Sequence, residues 1–275
     1  MKKIAILQSN YIPWKGYFDL INSVDEFILY DDMQYTRSDW RNRNLIKTPK
    51  GVLWLTIPVR IKSKHYQSIA EARIDGHYWR EKHWKSLVQF YARSKYFKNF
   101  CGIFERLYLE DKSEFLSEVN YLFIKAVNEI LNIQTRIRFS SEFSFGGDKT
   151  KKILDICKQC GADVYLSGPA AKVYFDENAA KEEGIEVEYM DYSGYREYHQ
   201  LYPPFVHGVS IVDLIFNEGE NAKMYLKSFA KMQKSCGGGG GYLGYFLFYL
   251  SLSFLLLLQF FTIYIRIQNG VSNAK

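Results

Sequence analysis

The first thirty residues alternate between apolar and amphipathic segments, and this order constrains the fold more than any other feature of the chain. Residues 3–7 and 27–30 are short, apolar and rich in β-branched side chains, as buried strands are. Between them, residues 16–24 repeat apolar side chains at the spacing of one helix face. Strand, helix and strand in so short a stretch predict a parallel βαβ unit, because parallel strands need a crossover connection.

The rest of the chain predicts further strands and helices around this unit. Apolar patterning predicts a β-hairpin over residues 41–47 and 52–59 and a short strand over 69–74, followed by a helical region over 78–131. Helices are predicted over residues 149–160, 170–183 and 210–217, and strands over 164–166 and 186–189. The fold class is therefore α/β, with a Rossmann-like parallel sheet core, an inserted β-hairpin and a helical region.

The composition changes abruptly after this α/β domain, which we assign to residues 1–235. Residues 236–241 form a glycine-rich linker, and residues 242–266 are long and apolar enough for a transmembrane helix, an atypical C-terminal addition. Basic residues before the apolar segment outnumber those after it, so we expect a cytoplasmic domain anchored to the inner membrane. The glycine run also indicates a slippage-prone reading frame, and an out-of-frame translation of the tail stays open as the alternative.

Charge and cysteine content narrow the classes of ligand. The net charge is +6, a mild excess that suits a small anionic substrate better than duplex DNA, and no DNA partner is predicted. Cys157 and Cys160 are spaced like half of a zinc site, but no second pair and no nearby histidine completes it. We therefore expect free thiols and predict no metal site.

Polar residues follow three of the predicted strands. In parallel sheets, ligands bind beyond the carboxyl ends of the strands, which is where these residues lie. If these strands are neighbours, the residues meet in one crevice and bind substrate; they are Gln8, Asn10, Tyr11, Trp14, Asp31, Asp32, Gln34, Ser167 and Gly168. We predict that Asp31 and Asp32 are catalytic, because adjacent carboxylates repel and one of them can be shifted towards a working pKa. A solvated strand end is the alternative.

Two further groups carry charge that suits the same substrate. In a strand, Arg41, Arg43 and Lys47 share one face, and arginine forks match phosphate oxygens, so this set predicts a pyrophosphate clamp. A salt-bridged hairpin surface is the alternative. His83 lies one helical turn from Trp79 and is the predicted general base, with a packed histidine as the alternative.

These motifs together resemble the WbqC-like protein family of bacterial surface-polysaccharide loci. The matching stretches are residues 4–21, 31–35, 39–44, 54–58, 165–169 and 210–216, and Ser9 stands where the family typically has proline. The apolar tail has no counterpart in the family pattern. The resemblance implies a glycine or amino-acyl transferase that acts on amino sugars of O-antigen or capsule precursors.

The first strand, loop and helix are also similar, at greater distance, to those of nucleotidylyltransferases and pantothenate synthetase, which activate carboxylates as adenylates. That similarity implies ATP and Mg²⁺ as candidate cofactors. The His-x-Gly-His motif of those enzymes is absent, and Lys15-Gly16-Tyr17 stands near its place.

The function that these features predict is transfer of an acyl or amino-acyl group to a nucleotide-linked amino sugar. Two alternatives stay open: a non-catalytic carbohydrate- or partner-binding protein of a polysaccharide assembly system, and, with less support, a nucleic-acid-modifying protein. The donor, the acceptor and the oligomeric state do not follow from the sequence.

Overall fold

The structure is a computed structural model that describes residues 1–61 and 67–230. The predicted linker and the predicted transmembrane helix over residues 242–266 lie outside these described residues. Within them, no helix combines the length and the apolar character that crossing a membrane requires.

In the part of the chain that the structure describes, seven strands form two sheets. The strands are β1 Lys3–Leu7, β2 Glu26–Leu29, β3 Arg43–Thr48, β4 Gly51–Thr56, β5 Arg136–Phe139, β6 Val164–Ser167 and β7 Glu186–Tyr189. The main sheet has five strands in the order β5-β2-β1-β6-β7, and every neighbouring pair is parallel. The predicted Rossmann-like core is therefore confirmed, with β1 at its centre.

Strand β5 is absent from the prediction. It carries Arg136 and Arg138, which do not read as a buried strand in an apolar pattern. Both side chains form ion pairs with Glu26 on β2, at 3.5 and 3.6 Å. Because β5 is at the edge of the sheet, these charged side chains can stay partly in solvent.

Strands β3 and β4 form the predicted antiparallel hairpin, with Thr48 opposite Gly51 across its turn. Gly51 has φ +109, a backbone angle that side chains rarely tolerate. The strand begins at Arg43, so the prediction that it begins at Arg41 was wrong. The backbone N–H of Asn42 is bonded instead to the carbonyl of Asp39, which makes this entrance a turn.

Seven α-helices accompany the sheets within the described residues. They are α1 Lys15–Ile21, α2 Tyr78–Tyr91, α3 Phe97–Leu109, α4 Leu116–Leu131, α5 Lys149–Cys160, α6 Glu177–Glu182 and α7 Ile211–Glu218. The helical region over residues 78–131 is thus three helices. The predicted helix over 170–183 is also interrupted: a 3-10 helix spans Pro169–Val173, and Asp176 starts α6 by accepting hydrogen bonds from the N–H groups of Asn178 and Ala179.

The main sheet has an apolar layer on each face. Ala5 of β1 belongs to the larger layer, whereas Ile4 and Ile6 belong to the smaller one, which also includes apolar residues of α5 and α6. This division follows from strand geometry, in which successive side chains point to opposite faces. A sheet covered on both faces leaves the ends of its strands as the place where polar side chains can meet a ligand.

Candidate functional site

A pocket with a volume of about 480 Å³ opens at the carboxyl ends of β1, β2 and β6. It lies where the strand order reverses, because the chain runs outwards from β1 through β2 to β5 and then returns to β6 on the other side of β1. The lining residues come from these strand ends, from the start of α5 and from the 3-10 helix after β6: Ile6, Leu7, Gln8, Tyr30, Met33, Gln34, Lys149, Lys152, Ile153, Tyr165, Ser167, Gly168, Ala170, Ala171 and Tyr174.

Four of the predicted substrate-binding residues line this pocket: Gln8, Gln34, Ser167 and Gly168. They meet because β1 pairs in parallel with both β2 and β6, which brings the ends of all three strands to one edge of the sheet. The position of these residues agrees with the crevice expected from the strand order, although their role as ligands stays a prediction.

The positive charge in the pocket comes from two lysines that the sequence argument missed. Lys149 and Lys152 line the pocket from the first turn of α5. Asp148 caps this helix by accepting a hydrogen bond from the N–H of Lys151 at 2.8 Å. The start of a helix carries a partial positive charge, which adds to that of the lysines. The sequence predicted that a helix begins at Lys149, but its local pattern did not show that this end of the helix faces the pocket.

Three tyrosines give the pocket an aromatic lining: Tyr30, Tyr165 and Tyr174. Tyr165 is buried and its hydroxyl lies 3.0 Å from Oγ of Ser167. Tyr174 is 54% exposed, and the Lys149 ammonium is 5.4 Å from its ring centre. Burial raises the pKa of both tyrosine hydroxyls above the usual value, so they act as neutral hydrogen-bonding groups.

The two predicted catalytic carboxylates have different hydrogen-bond partners, and neither is among the residues that line the pocket. Asp31 is buried and accepts hydrogen bonds from the backbone N–H of Ser9 at 2.8 Å and from the Ser117 hydroxyl. Asp32 accepts a hydrogen bond from the Ser140 hydroxyl. Burial raises the pKa of the Asp31 carboxyl, and the bonds from Ser117 and Ser9 oppose that shift. Asp31 and Asp32 lie in the turn after β2, and their carboxylates are bound by two different serines, Ser117 and Ser140.

The predicted phosphate clamp is also divided. Arg41 donates a hydrogen bond to Oε1 of Gln8 and lies 3.4 Å from a carboxylate oxygen of Asp39. Arg43 instead packs over Trp54, with its guanidinium carbon 4.1 Å from the ring centre. Lys47 is fully buried, so it does not share an open face with the arginines. Of the three, Arg41 is the one that contacts a residue of the pocket.

Lys47 lies in the core beside a buried carboxylate. Its backbone N–H donates to the Tyr91 hydroxyl at 2.8 Å, and that hydroxyl donates to Asp213, also at 2.8 Å. Asp213 lies in the first turn of α7, and its carboxylate also accepts a hydrogen bond from the Tyr198 hydroxyl at 2.7 Å. These contacts tie the hairpin to α7 and give Lys47 a structural position.

His83 is buried in the core among aromatic rings and does not line the pocket. Its Nδ1 lies 2.9 Å from the Tyr11 hydroxyl, which in turn lies 2.5 Å from the Tyr108 hydroxyl. The imidazole also donates to the backbone carbonyl of Thr56, and burial lowers its pKa to about 3. The geometry therefore matches the packed histidine, and the role of general base finds no support. The same contacts place Tyr11 in the core.

The remaining predicted residues, Trp14 and Asn10, lie in the loop between β1 and α1. Trp14 packs against Tyr192 and Tyr195, with ring centres 5.2 and 5.7 Å apart. Oδ1 of Asn10 and Nε of Arg41 are buried, and neither has a hydrogen-bond partner in the described part of the chain. Both residues are close to Gln8, so unpaired polar atoms lie near the pocket.

No metal site is apparent in residues 1–61 and 67–230, where no group of three or more His, Cys, Asp or Glu side chains is arranged to hold an ion. Cys157 and Cys160 are buried free cysteines on α5. Burial raises the pKa of the Cys157 thiol to about 12 and that of Cys160 to about 11, so both stay protonated. A nucleotide cofactor such as ATP would find its phosphate ligands in Lys149 and Lys152.

A family model for the WbqC-like protein family matches residues 8–225, which begin directly after β1 and include the hairpin and the other four strands of the main sheet. The chain belongs to the WbqC-like protein family. The match confirms the resemblance seen in the sequence. Apart from Ile6 and Leu7 at the end of β1, every residue that lines the pocket of this WbqC-like protein lies within the matched region.

A relative of this WbqC-like protein occurs in Mycobacterium tuberculosis, as the uncharacterized protein Rv1507c. The two are 46% identical over 227 residues, which is 82% of this chain and 98% of the relative. The rest of this chain lies outside the match. No solved structure matches the chain.

Proposed function

We propose that this WbqC-like protein binds a nucleotide-linked amino sugar in the pocket and transfers an acyl or amino-acyl group to its amine. The observation that carries the proposal is the position of Lys149 and Lys152, two cations at the reversal point of a parallel sheet. Open α/β sheets bind nucleotides at such points, with the phosphates at the start of a helix. A pocket of about 480 Å³ is within the range of small-molecule sites.

The lining suits the parts of such a substrate. The diphosphate would lie against Lys149 and Lys152, where the start of α5 adds favourable partial charge. The exposed ring of Tyr174 would stack on the base, and Gln8 and Gln34 would donate to or accept from hydroxyls.

The reaction forms an amide. The nitrogen of the amino sugar attacks the carbonyl carbon of an activated carboxyl donor, such as a thioester or an acyl adenylate. The new C–N bond forms, the bond from carbonyl carbon to thiolate or AMP breaks, and the leaving group takes the electron pair. The nitrogen loses one proton, for which a water molecule is the acceptor.

Mass spectrometry of the products tests this proposal. The full chain would be incubated with a nucleotide-linked amino hexose and either an acyl thioester or glycine with ATP and Mg²⁺. We expect the sugar to gain the mass of one acyl or amino-acyl group. Lys149→Gln and Lys152→Gln would lower the rate, whereas Lys125→Gln, on the exposed side of α4, would leave it unchanged. A folded protein that modifies no sugar with any donor would exclude the transfer.

A non-catalytic carbohydrate-binding protein is the second candidate. It is favoured by the absence of carboxylate and imidazole side chains from the residues that line the pocket. A binding protein would hold the nucleotide sugar tightly without turnover. Equilibrium binding measured beside the transfer assay separates the two, because binding without any mass gain supports this candidate alone.

A further inference from the structure

Trp40 and Trp54 form an exposed aromatic pair at the entrance of the hairpin. Their side chains are 42% and 41% exposed, and their ring centres are 5.3 Å apart with the planes at 43°. Exposed tryptophans in contact are informative because each ring offers a large apolar surface that a folded chain usually buries.

The pair is held in place by its neighbours. Arg43 covers part of Trp54, with its guanidinium carbon 4.1 Å from the ring centre, and Nε of Arg43 is buried without a hydrogen-bond partner in the described chain. The backbone of Trp40 is bonded on both sides, to Oδ1 of Asp39 at 2.7 Å and to the N–H of Tyr11 at 3.0 Å. We refer to Trp40, Trp54 and Arg43 as the aromatic platform. Because these contacts already hold its side chains, binding a ligand should cost little conformational entropy.

The platform is connected to the pocket by adjacent residues. Arg41 follows Trp40 in the chain, and its guanidinium donates to Oε1 of Gln8, a residue that lines the pocket. Arg41 therefore joins the pocket residue Gln8 to the chain segment that carries Trp40.

We propose that the aromatic platform is a second subsite that binds the sugar ring of the nucleotide-linked substrate, an inference that rests on the function proposed above. A pyranose has one face of C–H groups, which packs on an indole ring, and a rim of hydroxyls. Asp39 and Arg41 border the platform and can accept from and donate to those hydroxyls.

The geometry favours a sugar over a base at this position. A base is best held in a slot between parallel rings, but these rings are tilted by 43° and one side of Trp54 is in contact with Arg43. What remains is an open wedge with a polar border, which suits a ring that has one apolar face and polar edges.

Calorimetric titration of the full chain tests the subsite. The probes are uridine, thymidine, guanosine and cytidine diphosphates and the hexose conjugate of each. For the nucleotide that binds, we expect the conjugate to bind more tightly than the free diphosphate. Trp54→Ala and Trp40→Ala should each weaken binding of the conjugate by about tenfold, which is the scale of one lost ring contact. Neither variant should change the affinity for the free diphosphate.

Two controls separate loss of the subsite from damage to the fold. Leu53 precedes Trp54 in β4, and its side chain points to the opposite face of the strand, so Leu53→Ala is the first control. Tyr78→Ala, which removes an exposed ring at the start of α2, is the second. Both should bind the conjugate like the unmodified protein. Trp54→Phe should recover part of the lost affinity, and circular dichroism would show that each variant folds.

Each outcome bears on the inference. A conjugate affinity that neither tryptophan variant changes would overturn it. Equal weakening of the diphosphate and its conjugate by Trp54→Ala would also overturn it, because that result places the base on the platform. If no diphosphate and no conjugate binds, the proposed function fails and the subsite fails with it. Binding of a free diphosphate that depends on Lys149, without a contribution from either tryptophan, would retain the proposed function and reject only the subsite.

Discussion

The guanidinium of Arg41 donates a hydrogen bond to Oε1 of Gln8, and this contact joins the hairpin entrance to the pocket. Gln8 lies directly after β1, the central strand, and the Tyr17 hydroxyl donates to its backbone carbonyl at 3.0 Å. Arg41 therefore holds the side chain of Gln8, and Tyr17 holds its backbone. Changes at Arg41 are expected to affect ligand binding through this contact.

Arg41→Lys should weaken nucleotide binding with little effect on folding. Lysine keeps the charge but lacks the planar fork that reaches both Gln8 and Asp39. We expect the affinity for the nucleotide that binds best to fall by about tenfold, the scale of one charge-assisted hydrogen bond, as measured by calorimetry. Arg37→Lys, an exposed arginine in the same loop, is the control. Equal affinities for Arg41→Lys and the control would contradict the assignment.

His83 should make the stability of the protein depend on pH below neutrality. Burial lowers its pKa to about 3, whereas in the unfolded chain it has the ordinary value of about 6.5. Between these values the unfolded state binds the extra proton, so the free energy of unfolding falls as the pH falls through this window. The slope from one such group is at most about 1.4 kcal/mol per pH unit.

Urea denaturation at pH 7.0 and pH 5.5 measures this dependence. His83→Gln retains an amide that can accept from Tyr11 and donate to Thr56, so the variant should fold with a shallower dependence on pH. His77→Gln changes an exposed histidine and should keep the dependence of the unmodified protein. A His83→Gln variant with an undiminished pH dependence would show that other groups cause it.

Tyr11→Phe should destabilise the fold. The Tyr11 hydroxyl lies within hydrogen-bonding distance of His83 and Tyr108, and all three side chains are buried. Without this hydroxyl, the imidazole of His83 and the hydroxyl of Tyr108 each lose a buried hydrogen-bond partner. The free energy of unfolding should fall by about 1–3 kcal/mol as a result. Tyr78→Phe, on an exposed ring, should change the free energy of unfolding little. A change for Tyr11→Phe as small as that of the control would mean that the buried contact contributes nothing net.

Gly16→Ala should also destabilise the protein, because α1 begins against the ring of Trp14. A Cβ atom at Gly16 would lie 2.2 Å from the Trp14 ring, so the indole must move away from Tyr192 and Tyr195. We expect a loss of about 1–3 kcal/mol, the usual cost of overpacking.

Gly102→Ala is the matched control for Gly16→Ala. In the interior of α3 the nearest atom to the added methyl group is 3.8 Å away. The control should stabilise the protein by about 0.5–1 kcal/mol, since alanine favours the helix. Thermal unfolding of the two variants would give opposite signs, and a stable Gly16→Ala protein would show that Trp14 can move freely.

The order of the central elements, and the edge of the sheet at which their ends meet, follow from the amino-acid pattern alone. The strands β1, β2, β6 and β7 were predicted within one residue at each end, because short runs with apolar and β-branched side chains are typical of strands. Parallel pairing then brings Gln8, Gln34 and Ser167 to one edge of the sheet whatever their neighbours are.

Which side chains face the pocket depends on how distant elements pack against one another. Lys149 and Lys152 enter it because α5 begins beside the ends of β1 and β6, a position that no local pattern encodes. Asp31 and His83 were chosen for their chemistry, but α4 and the aromatic core enclose them. The spacing of apolar residues indicates whether a local segment is a helix or a strand. The direction in which a side chain points, and the groups that shift its pKa, depend on elements packed from far away in the sequence.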